Sequence, residues 1–152
     1  MTIHLERCFE LSMNYFIQAV FSGIAVSITD EFPEENIDIP VVSVDGQDYD
    51  IIPHEMGNRS GIKPRFWVFE VFGKNKTQRN DIMYRISDAL ELQSIPVYEF
   101  TEDKITPDAY PPQIGCLEAE DISVHFMKPI PDTVSKIKWR GSVTCTATYN
   151  RL

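Results

Sequence analysis

The sequence predicts an α+β domain, with two helices packed on a mainly antiparallel sheet. Three observations lead there. The first is the stretch 136–150, whose odd positions read Ile137, Trp139, Gly141, Val143, Cys145, Ala147 and Tyr149. Its even positions are Lys136, Lys138, Arg140, Ser142, Thr144, Thr146, Thr148 and Asn150. Side chains alternate faces along a strand, so this is a ribbon with one apolar face and one basic-to-hydroxyl face. Such a split belongs to an antiparallel sheet packed on one side. The second observation is a pair of segments with helical apolar spacing. The third is the run 63–72, with Phe66, Trp67, Val68, Phe69, Val71 and Phe72, which is apolar on both faces and reads as a central strand covered on both sides.

Leu5, Cys8, Phe9, Ser12, Phe16, Ala19 and Val20 recur at helical spacing, so residues 4–21 form an amphipathic helix stopped by Ser22-Gly23. Residues 24–29 read as a short strand, followed by an acidic loop, 30–36, that Pro33 keeps out of the ladder. The runs 37–44 and 47–52 flank Asp45-Gly46, a pair suited to the two positive-φ positions of a type I′ turn, so a hairpin is predicted there. Pro53, Gly57, Asn58 and Gly61 make 53–62 a loop. After Gly73, Asn75 with Gln78 has the pattern of a capping box. The helix it opens buries Ile82, Ile86, Ala89 and Leu90 and wets Lys76, Arg79, Asp81, Arg85 and Asp88. It stops before Ile95-Pro96, and 96–100 is an edge-strand candidate. The proline-rich stretch 101–115 reads as a functional loop or contact arm. Residues 117–127 are strand, with a change of phase near Asp121 that a bulge would repair. Pro129 and Pro131 mark the turn into the last strand, which is long enough to overhang its own core and need a partner.

A chain of 152 residues fits one domain spanning 1–152. Its formal charge of −9 argues against a general nucleic-acid coat, which needs Lys and Arg to displace counterions. The same charge fits an ordinary soluble protein, the more common case, or a surface past which DNA slides without sticking. No apolar run is long enough to span a bilayer, and the N-terminus lacks the core of a signal peptide. Cys8, Cys116 and Cys145 are odd in number and far apart, so they indicate neither a disulfide framework nor a zinc knuckle, and a reducing, cytoplasmic setting is the default.

No catalytic, cofactor or metal set emerges. The segment 73–77 sits where a phosphate loop would be but lacks the glycine-spaced donors ahead of a Lys-Ser/Thr pair. Asp45, Asp48 and Asp50 are spaced like oxygen ligands, without the Glu and Gly of a calcium loop. His4, His54 and His125 fall in separate elements, with His125 on the polar side of its strand. A Cys116–His125 nucleophilic pair is conceivable by residue type alone. Trp67 and Trp139 read as core.

Several stretches together resemble the tail terminator, or tail completion, proteins of long-tailed bacteriophages. They are Ile39-Pro40-Val41-Val42, the turn 53–59 with its Gly57-Asn58-Arg59, the strand 66–72 into Gly73, Gln78-Arg79-Asn80-Asp81, the segment 95–100, and Lys138-Trp139-Arg140 through Tyr149-Asn150-Arg151. The resemblance implies a virion protein of the phage neck, made in the host cytoplasm, that forms a six-fold ring capping the tail tube. Its partners would be copies of itself, the tail tube protein and the head–tail connector or stopper, with DNA passing through unbound. Neighbour contacts would come from Glu31, Phe32, Glu34, Glu35, Asn58, Arg59, Pro107, Tyr110, Pro111, Pro112 and Arg140. The alternatives are a head-side stopper or adaptor and, in another class, a small cytosolic hydrolase.

Overall fold

The computed structural model describes residues 3–31, 39–49, 52–53, 61–62, 64–105, 111–128 and 139–152. Helix α1 is Leu5–Val20 and α2 is Lys76–Leu92. The strands are β1 Ser27–Thr29, β2 Val41–Tyr49, β3 Ile52–Pro53, β4 Gly61–Ile62, β5 Arg65–Gly73, β6 Ile95–Tyr98, β7 Gln113–Phe126 and β8 Trp139–Arg151. Six of them make one sheet in the order β1-β2-β5-β8-β7-β6, antiparallel except for the parallel pair β1–β2, and β3 pairs with β4 apart from it. This is the α+β architecture expected.

Both helices cover one face. Phe9, Met13, Phe16 and Ile17 of α1 and Ile82, Met83 and Ile86 of α2 share a core with Val44, Trp67, Phe69, Val143 and Cys145. The cross-strand register puts those five strand residues on the same side. Helix α1 begins with the His4 imidazole accepting from the Glu6 N–H at 3.2 Å, and Gly23 leaves its end at a φ of 79°. At the start of α2 the Asn75 side chain accepts from the Gln78 N–H at 2.9 Å. Gln78 Oε1 accepts in return from the Lys74 N–H, one residue outside a standard capping box.

Four expectations are corrected. Asp45-Gly46 is no hairpin turn: β2 runs through it and pairs with β5 from Val41 to Tyr49, with a bulge after Gly46. The glycine serves a close approach instead, since a Cβ there would stand 2.8 Å from the Arg65 guanidinium. Strand β5 is central, but its second face is covered only in part: Phe72 there is 0% exposed, whereas Phe66 at the other end of the strand remains 42% exposed. The last strand does not overhang. β8 lies between β5 and β7, which together pair with it from Trp139 to Arg151. Arg79 is not on the wet face of its helix but 3% exposed.

Two smaller shifts accompany these. The strand expected over 24–29 is confined to Ser27–Thr29, and β7 starts at Gln113, taking in the end of the proline-rich stretch. The bulge near Asp121 is present. β7 gains a residue on β8 between Glu120 and Ser123, and Asp121 has a φ of 53°.

Candidate functional site

The sheet face away from the helices is polar and partly open around Phe66, Thr146, Glu118 and Glu120, and buried around Val41, Ser43, Phe72 and Ser142. Register places Thr144, Thr146 and Thr148 of β8 beside Glu118 and Glu120 of β7, and beside Phe66 and Val68 of β5. His125 lies on this face opposite Ser142, the polar side expected for it. Arg140 is also here, and it is engaged within the protomer. Its Nη2 lies 2.7 Å from Glu70 Oε2, and its guanidinium stacks over the Phe72 ring. At the β2 end Asp30, Glu31, Asp45 and Glu70 line a groove of about 570 Å³. Burial there pushes the Asp45 carboxyl above its usual range, and the Glu10 charge adds to the effect against the pull of Arg65 and Gln47.

The sheet also has exposed edges. Among the described residues, β1 pairs only with β2, and β6 covers β7 only from Gln113 to Leu117. Among the described residues nothing pairs with the outer side of 118–126, and an unpaired strand edge is a template for another chain. Sequence reasoning assigned the partner-seeking strand to β8; the free edge belongs to its neighbour.

Two arginines fasten the protomer. Arg65 reaches across from β5 to α1, pairing with Glu10 at 3.0 Å and Glu6 at 3.4 Å, and lies over the Trp67 ring. Arg79 closes the other end of the sheet. It donates to the carbonyls of Met127 at 2.9 Å and Arg140 at 3.2 Å, and to the Asn80 side chain. Its guanidinium stacks on Phe126 and Trp139. These contacts tie the end of β7 to the start of β8, on either side of the 129–138 connection.

Of the interface residues expected, Phe32, Glu34, Glu35, Asn58, Arg59, Pro107 and Tyr110 lie outside the described residues. Glu31 is exposed, and its carbonyl accepts from the Ser43 hydroxyl at 3.1 Å. Pro111 is half-buried, whereas Pro112 is exposed and its carbonyl accepts from the Glu99 N–H.

Cys116 and His125 do not form a nucleophilic pair, because they stand toward opposite ends of β7, about 30 Å apart at the strand rise. Segment 73–77 is a strand end followed by a capped helix start. Among the described residues no three His, Cys, Asp or Glu side chains converge as metal ligands. Nor is any helix among them long and apolar enough to cross a membrane. Cys145 is fully buried and its thiol is pushed up to about 12 by desolvation; Cys8 is also buried and raised, by the same cause first. A thiol reagent at neutral pH should therefore modify half-buried Cys116 first, with Cys8 and Cys145 reacting only on unfolding. Fast modification of all three in the folded protein would contradict this packing.

No protein-family model matches the chain, and no curated protein matches it in sequence.

Proposed function

We propose that this chain is a structural protein of a phage neck, a tail-terminator-type protomer that closes into a ring on the head-proximal end of a tail tube. The observation that carries the reading is a pair of sheet edges with no partner among the described residues, β1 and the 118–126 stretch of β7, at opposite ends of one sheet. Edges on opposite sides of a protomer suit heterologous, head-to-tail association, which makes a ring when the rotation closes. The resemblance of the matched segments to tail terminators supports the same reading. So does the acidic open face. Exposed Glu118 and Glu120, with Asp45 three strands away on the same face, would repel phosphate if that face lined a channel.

The experiment is to add the purified protein to the tail tube protein of the same phage while the tubes are growing. Growth should stop at a fixed length, with ring-shaped density at one end of each tube. Tubes that elongate as if nothing had been added would contradict the proposal. Binding to the head connector with none to the tube would favour the head-side stopper instead.

A further inference from the structure

The two ends of the sheet match each other in direction, level and face. β1 is parallel to β2, and each following pair in the order β2-β5-β8-β7 is antiparallel, so β1 points opposite to β7. A second copy set beside the first without being turned over thus brings its β1 antiparallel to the free edge of β7. Antiparallel pairing places the start of β1 level with the end of β7. Just before β1, Ile24, Ala25 and Val26 join Phe21 and Ile82 in lining a groove of about 690 Å³. At the end of β7 stand Phe126, 47% exposed, and Met127, with Tyr84 in edge contact with the Phe126 ring at 6.0 Å. Groove and projection also share a layer. The groove's far wall is α2, while Phe126 lies opposite Gly141 on the helix face and touches Tyr84 of α2.

The geometry points to a head-to-tail contact between copies of this chain. In it, residues 124–126 of β7 pair with Ser27–Thr29 of the next copy, and Phe126 and Tyr84 enter the groove of Phe21, Ile24 and Val26. This supplies the interface of the proposed ring and rests on that reading for its closure. The bulge at Asp121 ends the pairing, since its extra residue breaks the ladder above Ile122. Beyond Thr29, Asp30 and Glu31 of one copy come level with Ser123 and Ile122 of the other, one to three strand positions from Asp121 and Glu120. Like charges at the upper rim make the contact weak at low ionic strength, and sodium chloride tightens it by screening. Self-pairing of two β7 edges would centre on the bulge and leave the groove empty.

Two full-length variants test the contact, Phe126→Asp and Ile24→Asp, at positions 47% and 40% exposed. Unfolding midpoints verify that both fold, and size-exclusion chromatography with mass detection reads assembly at high protein concentration. The wild type and the control Leu92→Asp, at a site 79% exposed, should form rings. Each variant alone should be monomeric, and raising the salt should favour the wild-type ring. An equimolar mixture of the two should give a heterodimer and nothing larger, because each copy keeps one intact surface. Rings formed by either variant would overturn this interface while leaving the ring reading standing. A mixture that stays monomeric, or dimers of Ile24→Asp alone, would overturn the head-to-tail pairing. A wild type that stays monomeric throughout would overturn both.

Discussion

Replacing Phe69 with alanine will lower the stability of the protomer by about 3–5 kcal/mol, the range for emptying a fully buried aromatic site. Phe69 is 0% exposed and sits in the middle of β5, opposite Val44 on one side and Val143 on the other. Its ring belongs to the core that joins the sheet to both helices. Relaxation into the cavity is limited, because the flanking valines are fixed by the ladders on either side and cannot slide without breaking register. Urea unfolding followed by tryptophan fluorescence measures the change. Trp67, two residues along on the same face and 1% exposed, reports on that core. An unchanged midpoint would mean that β5 is not the centre of the sheet.

Arg79→Ala comes next, at about 2–4 kcal/mol. The substitution removes the donor that the part-buried Met127 and Arg140 carbonyls share, and an acceptor left without a partner costs up to about 1–3 kcal/mol, rising with its burial. The Met127 N–H still donates to the Arg140 carbonyl, which keeps the sum below two full penalties. The packing of Phe126 and Trp139 on the guanidinium is lost as well. Arg79→Lys should recover less than half of the loss, since a single ammonium cannot stack between two rings while reaching both carbonyls. Hydrogen exchange should show the amides at the end of β7 and the start of β8 opening first in both variants. A lysine variant as stable as the wild type would show that charge alone, and not the planar fork, is what the site requires.

Periodicity carried much of the fold. The apolar alternation from Trp139 to Tyr149 is the helix face of β8, and the phase change at Asp121 is a real bulge with its residue at positive φ. Local chemistry misled where tertiary pairing prevailed. Asp45-Gly46 carries the strongest short-range hairpin signal in the chain. Yet β5 supplies a ladder on both sides of it, and the absent glycine side chain admits Arg65 rather than a turn. Arg79 was legible in part: it lies on the same helical stripe as Ile82 and Ile86, and only its charge argued for the surface. The backbone carbonyls and rings that accept it come from β7 and β8, roughly fifty and sixty positions away, which no local pattern reveals. Likewise β8 announced its own length, but whether its edges were covered depended on how far β7 extends, and β7 begins inside a stretch that its prolines made look like a loop.

The central claim is that copies of this chain join head to tail into a closed ring, and native mass spectrometry of the concentrated wild-type protein tests it most directly. One dominant assembly at six times the 17.5 kDa protomer is expected, with no ladder of larger species. A monomer at every concentration, a two-fold dimer, or an open series of growing oligomers would contradict it.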